Sequence, residues 1–320
     1  MAVSANTNET YDVTTLKEDL QEALISISPT ETPVMSAIGK KNVSNTYFEW
    51  AVVDLAAASG SNRVIEGESA PANDAPSNGV RQGNYTQISD KVVEVSDTAE
   101  AVNGAGDAQT LAKQVAYKLK ELKRDMEKML TDNVAAAAGA SGTARSTAGL
   151  PAFLRTNADR GTNGADGTTS GSGVAGYVDA AATDGTQRAV TEALLKGVIA
   201  TCWDAGAEPS LVVCGSSQKQ TISTFTGNAT KYKDISDKTL SAAIDIYVSD
   251  FGELSIVPSR FSRSRDVLVL DPSYARVAYL KQASQKPLAR TGHSERRLIS
   301  AEYGLQVDNE AAHGVVADIT

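Results

Sequence analysis

Between two runs of β-favouring residues the chain inserts a stretch from which no core could be built. The first run, NTYFEWAVVDL, supplies Tyr47, Phe48, Trp50, Val52 and Val53 to a strand that begins near Asn45. Residues 56–82 are rich in Ala, Ser, Gly, Asn and Pro, with charges at Arg63, Glu66, Glu68, Asp74 and Arg81. The second run, GNYTQISDKVVEVSDTAEAV, carries Tyr85, Ile88, Val92, Val93 and Val95 in a largely polar setting. Two strands joined by so polar an excursion form either an extended hairpin arm or a mobile loop on a compact domain. An arm of this kind has little to fold upon itself and needs another surface to lie against.

A long amphipathic helix follows directly. Leu111, Val115, Leu119, Leu122, Met126 and Met129 fall at spacings of three and four, so one face is apolar. With Asp107 as cap, a helix from Asp107 to Thr131 is a rod of roughly 37 Å. Lys123 and Glu127 are expected to pair on its outer face, for a few tenths of a kcal/mol.

Elsewhere the pattern is mixed. Residues 1–15 read as a polar arm, and Leu16, Leu20, Leu24 and Ile27 space a short helix before Pro29 and Pro33. Residues 135–185 are a Gly/Ala/Ser/Thr-rich insertion, broken only by GLPAFLR, that is either flexible or ordered by its neighbours. Val190, Leu194, Leu195, Val198, Ile199, Cys202 and Trp203 give the next helix a wide buried face, with Gly206 at its exit. SLVVCG is then a buried strand, followed by a helix over 217–225 and strands over 244–248 and 254–257. DVLVLDP, YARVAYL, SERRLISAEYGLQVDN and a short segment in EAAHGVVADI complete a strand-rich last third, so the fold class is α+β.

The 320 residues carry a formal net charge of −9, which argues against a protein whose main task is gripping phosphate backbones. Cys202 and Cys214 are the only cysteines, too few for a disulfide framework or a four-thiolate zinc site, and both sit in apolar surroundings as expected free thiols. No signal-peptide pattern and no apolar run approaching 18 residues is present, so no membrane partner is expected.

Catalytic constellations fail one by one. The two histidines, His293 and His313, are not in an HExxH arrangement, and no GxxxxGK[ST] loop occurs. GSSQ after LVVC is not a GxSxG elbow; Ser216 and Ser217 are better helix-starting residues. Asp250-Phe251-Gly252 lacks the rest of a kinase and reads as a tight turn between strands. No catalytic, cofactor-binding or metal-binding residue is therefore assigned. Arg260, Arg263 and Arg265 in SRFSRSRD are read as inter-strand or inter-subunit contacts to the chain's carboxylates, with nucleic acid as the other reading.

The order of these features resembles the major capsid proteins of tailed double-stranded DNA bacteriophages, with their HK97-like fold. The resemblance rests on NYTQISDKVVEVSDTAEAV after the polar excursion, LAKQVAYKLKELKRDMEKML, DFGELSIVPSRF, VLVLDPSYARVAYL and SAEYGLQVDNEAAHG, and runs from about residue 10 to 315. It implies an N-terminal arm (1–44), an extended loop with flanking strands (45–102), and a peripheral domain holding the spine helix and the insertion (103–185). An axial domain (186–265) and return strands of the peripheral domain (266–320) follow. It further implies a shell of pentamers and hexamers enclosing double-stranded DNA without sequence-specific recognition, assembled in the host bacterial cytoplasm. Scaffolding, portal and decoration proteins are the partners it implies; because the first strand begins near Asn45, a built-in scaffolding segment has no room, so scaffolding is either separate, which Met1 favours, or removed by an earlier cleavage. Arg63, Glu66, Glu68, Arg81, Arg260, Arg263 and Arg265 become inter-subunit contact candidates. A phage decoration or tail-structural protein is the alternative.

Overall fold

The computed structural model describes residues 31–53, 55–67, 69, 76–102, 110–225 and 246–320. The expected helix over 16–27, the cap Asp107 and the contact candidate Glu68 lie outside the described residues. The described part holds six helices, α1 (Pro33–Ala37), α2 (Asp97–Ala101), α3 (Leu111–Thr131), α4 (Leu150–Phe153), α5 (Glu192–Asp204) and α6 (Ser216–Ile222). Its first strands are β1 (Gly39–Asn42), β2 (Tyr47–Val52), β3 (Val80–Tyr85), β4 (Gln87–Ser96), β5 (Ala158–Asp159), β6 (Thr168–Thr169) and β7 (Val178–Ala180). The remainder are β8 (Leu211–Cys214), β9 (Ile246–Ser249), β10 (Gly252–Pro258), β11 (Val267–Leu270), β12 (Ala275–Pro287), β13 (Ser294–Val307) and β14 (Gly314–Val316).

Two sheets organise the molecule. The first has the order β1-β12-β13-β4, with β1 parallel to β12 and the other pairs antiparallel. Along β4 the side chains alternate, so Val93 and Val95 turn inward against α3 while Ile88 and Val92 face outward. The second sheet has the order β5-β14-β11-β8-β10-β9. Its central strands are buried on both faces: Val212, Cys214, Val267, Val269 and Val316 join α5 and α6 in one core. The alternate residues Leu211, Val213, Leu268, Leu270 and Val315 join the core of the first sheet. One apolar core thus continues through a shared sheet into the next.

That sharing redraws the expected units. The resemblance implies an axial domain over 186–265, yet its strands β8, β9 and β10 share a sheet with β11 and β14, which join directly or through one another, and β5 extends it. A boundary after residue 265 falls inside this assembly. Likewise β4 belongs with α3 and β13 rather than with the loop: the extended run breaks after Thr86, where β3 leaves for β2 and β4 for β13.

Helix α3 begins after Thr110 and is ~32 Å long. Leu111, Val115, Leu122 and Met126 are buried, as expected; Leu119 is 39% exposed, and Leu130 is fully buried instead. Glu127, expected on the outer face, is also fully buried. The buried face drifts because α1 and α4 pack on the C-terminal half of the helix, so its end is enclosed on more than one side. The insertion 135–185 is ordered: α4 is entirely buried, and β6 pairs with β7. In α5, Trp203 is half exposed while Leu195, Val198, Ile199 and Cys202 are buried. Cys202 and Cys214 are free thiols, raised by burial to about 12 and about 11. Asp250-Phe251-Gly252 forms the tight turn between β9 and β10.

Candidate subunit interface

The excursion is carried by the β2–β3 hairpin, paired from Tyr47↔Tyr85 to Val52↔Val80. One of its faces is greasy and turned inward. Phe48, Trp50 and Val52 are buried, and Phe48 and Phe153 flank the Trp50 ring at 5.9 and 6.3 Å between centroids. Trp50 Nε1 donates to Gln82 Oε1 across the strands at 3.2 Å, which allows an indole to be buried without an orphaned donor.

The root of the hairpin is fixed to the body by polar contacts as well. Asn84 is fully buried; its Nδ2 donates to Thr147 Oγ1 (2.9 Å) and Leu305 O (2.7 Å), and its Oδ1 accepts from Ala148 N at 3.0 Å. Gly83 N donates to Gly176 O and Gly176 N to Arg81 O, both at 2.8 Å, so the loop before β7 runs alongside β3. Tyr47, Tyr85 and Tyr177 close this end with ring centroids 4.8 to 6.3 Å apart. Burial, aided by the Glu49 carboxylate, pushes the Tyr47 hydroxyl up to about 12. Gly83 is required there, since a Cβ would stand 2.5 Å from Tyr47 Oη.

Beyond Val52 the larger apolar side chains of the loop are exposed among the described residues. Leu55 is 86% exposed, Ile65 76%, Val64 70% and Val53 55%. Side chains of this size clustered on one projecting loop are uncovered in the isolated subunit. Val53 belongs to the first β-favouring run, whereas Leu55, Val64 and Ile65 were not singled out, because three apolar residues scattered among Ala, Ser and Gly form no periodic pattern. Arg63 and Glu66 are exposed beside Val64 and Ile65, and Arg81 lies lower on β3, 3.9 Å from Glu49.

The three arginines of SRFSRSRD separate. Arg260 is exposed. Arg263 bridges Asp184 (2.6 Å) and Asp266 (2.8 Å) and approaches Asp132, while Arg265 holds Asp318 (2.7 Å) and Asp184 (3.3 Å). Those contacts are within the subunit: they tie the end of α3, the end of the insertion and the C-terminal segment to the loop before β11. Burial drives the Asp184 carboxyl up, but hydrogen bonds from Arg263 and the charges of Arg263, Arg265 and Arg160 outweigh it and leave it lowered. Asp266 is raised, because burial there exceeds the pull of Arg263. No cluster of three or more His, Cys, Asp or Glu side chains suited to a metal occurs among the described residues.

The chain is similar to several proteins of known kind. A 120-residue segment is 38% identical to the major capsid protein of Escherichia phage Phieco32, covering 38% of this chain and 34% of that protein. In structure, the capsid of cyanophage A-1(L) superposes with a TM-score of 0.67 and 12% identity, over 98% of each chain. A Mycobacterium phage Cain chain gives 0.65 and 12%, over 98% of this chain and 99% of that one. The holo-SrpI encapsulin complex of Synechococcus elongatus gives 0.57 and 12%, over 95% and 92%. At such identities the superpositions establish the fold alone, which phage capsids and an encapsulin share. The family is established by sequence: residues 4–320 match the model of the SU10 major capsid protein, and the chain belongs to that family of phage major capsid proteins, with an HK97-like α+β fold.

Proposed function

We propose that this major capsid protein assembles as pentamers and hexamers into an icosahedral shell around phage double-stranded DNA, and that the loop between β2 and β3 is its reach to a neighbouring subunit. One observation carries the reading: the β2–β3 hairpin packs on its own subunit as far as Val52, while Leu55 and Val64 are exposed in the loop beyond it. An apolar group left in water costs about 25 cal/mol per Å² relative to burial, so covering this tip on a neighbour contributes to assembly rather than to subunit folding. Arg63, Glu66 and Arg81 then form the polar rim of that contact, where they set register and partner choice more than affinity. Arg260 is a further exposed candidate.

The 53–79 loop, the α3 layer and the second sheet are read as extended loop, peripheral domain and axial domain, with the shared strands β11 and β14 joining the last two. Assembly takes place in the host cytoplasm with separate scaffolding, portal and decoration proteins, and the subunit acts as a building block without catalysis. Electron microscopy of purified particles tests the reading: a closed lattice of this chain with fivefold and sixfold clusters is expected. Confinement of the chain to tails, or to one copy per vertex, overturns it.

A further inference from the structure

We infer that Asn78-Gly79, at the entry to β3, is a site of self-modification by deamidation in the folded subunit, whereas the same dipeptide at Asn163-Gly164 is held intact by the fold. Asn-Gly occurs at Asn78, Asn103 and Asn163, and the second of these lies outside the described residues. The two described asparagines are both exposed, so access to water does not separate them. Their backbones do.

Gly79 precedes β3 in a stretch without regular structure, and it stands in phase with Arg81 and Gly83, whose backbone turns away from β2 towards Gly176. Among the described residues neither the Gly79 amide nor the Asn78 side chain has a hydrogen-bond partner. The nitrogen is therefore free to turn onto its neighbour. At the other site Asn163 is fixed in the left-handed region at φ 66°, and Gly164 N donates to Gly161 O at 2.9 Å. That turn is tied down on both sides, by Thr186 N to Thr162 O (2.8 Å) and by Ala165 N to Thr183 O (3.1 Å), and Asp318 Oδ2 accepts from Gly161 N at 3.1 Å.

The chemistry needs only water. The Gly79 nitrogen attacks Asn78 Cγ, forming a new C–N bond; the Cγ–Nδ2 bond breaks, and Nδ2 leaves as ammonia with the proton that Gly79 N gives up. Glycine has no Cβ to obstruct closure of the five-membered imide. Water then opens the ring at Cγ, leaving aspartate, or at the Asn78 backbone carbonyl, leaving isoaspartate with one extra methylene in the main chain. Either product adds a negative charge to a chain of net charge −9, close to Arg81. The isoaspartyl product also displaces the loop relative to β3, which starts two residues later at Val80.

Peptide mass spectrometry of folded and urea-unfolded subunit, held at mildly alkaline pH and resolved for aspartate and isoaspartate, tests the site. In the folded subunit conversion is expected severalfold faster at Asn78 than at Asn163, and in urea the two are expected to convert alike. Asn163 keeping pace with Asn78 in the folded subunit overturns the inference. So does aspartate without isoaspartate at Asn78, since direct hydrolysis of the side chain gives aspartate alone. Gly79→Ala, whose Cβ would meet only the exposed Val53 side chain closer than 3.4 Å, is expected to slow Asn78 severalfold and leave Asn163 unchanged; an unchanged rate at Asn78 contradicts attack by this nitrogen. The effect on assembly rests on the reading of this loop as a subunit contact: converted subunits are expected to form fewer closed shells than fresh ones, and an equal yield overturns that effect. Because the chemistry is measured on the subunit alone, failure of fresh subunits to form shells overturns the shell reading and not the modification site.

Discussion

The carboxylate of Glu127, fully buried on α3, accepts a 2.9 Å hydrogen bond from the backbone amide of Val34, and a second of equal length from Met35. It satisfies two amides at the start of α1, which has no side-chain cap of its own, and so ties the segment before β1 to the long helix. Replacing Glu127 by Ala leaves both amides buried without acceptors. A loss of about 2–4 kcal/mol is expected in chemical denaturation of the subunit, and Glu127→Gln, which keeps one acceptor oxygen, loses less.

Glu127 also has a pH signature. Burial raises its pKa above the ordinary 4.5, against the two amide hydrogen bonds and Lys123. Its folded form holds the proton more tightly than the unfolded chain, so its contribution is full below 4.5 and is lost as pH rises through the raised value. In Glu127→Gln that fall in stability across mildly acidic pH disappears. A slope unchanged from wild type contradicts the assignment.

His313 acts in the opposite sense. It is fully buried, its Nδ1 accepts from Asp271 N at 3.2 Å, and burial lowers its pKa from 6.5 to about 4. The unfolded chain binds the proton first on acidification, so stability is lost as pH falls from 6.5 towards 4, by up to about 3 kcal/mol at ~1.4 kcal/mol per unit. Thermal melts of His313→Asn, which retains an acceptor of similar reach, are expected to show a flatter acid limb.

Arg263 neutralises Asp266, whose side chain is 3% exposed and whose Oδ1 has no hydrogen-bond partner. Arg263→Ala strands that carboxylate and removes a ligand of Asp184; a cost of about 3–5 kcal/mol follows from breaking a buried pair. Arg260→Ala, on an exposed side chain two residues beyond Pro258, is expected to leave the denaturation midpoint unchanged. Similar losses for both variants would show that Arg263 holds no special place in the cluster.

How far these features were legible in the chain differs by cause. β2, α3, α5, β8 and the turn at Asp250-Phe251-Gly252 were readable because periodicity and turn chemistry are local. Glu127 was not, since its place on the wheel is next to solvent until α1, 92 and 93 residues away in sequence, folds over it. The insertion could be read as flexible or as ordered by its neighbours, and sequence could not choose because its order comes from single residues engaging distant ones: Asn133 with Ala182, Arg155 and Thr156 with Glu310, Tyr177 with the β2–β3 root. The visible signals in it were the apolar cluster GLPAFLR and the aromatic Tyr177. For the candidate interface, the charged residues were visible in sequence, whereas the separation of Arg263 and Arg265 from Arg260 depended on Asp184 and Asp318 arriving from remote segments.

The central claim is that the loop beyond Val52 serves assembly and not subunit folding. Because Val52 pairs with Val80, deleting Val53–Ser77 joins the strands through Asn78-Gly79, the two-residue sequence that favours a tight hairpin turn. The deciding measurement is electron microscopy of wild type and this deletion under identical assembly conditions, beside their thermal melts. Closed shells from wild type, and a deletion variant that melts like wild type but forms no shells or malformed ones, are the predicted result. Normal shells from the deletion variant, or loss of the folded subunit, would contradict the account.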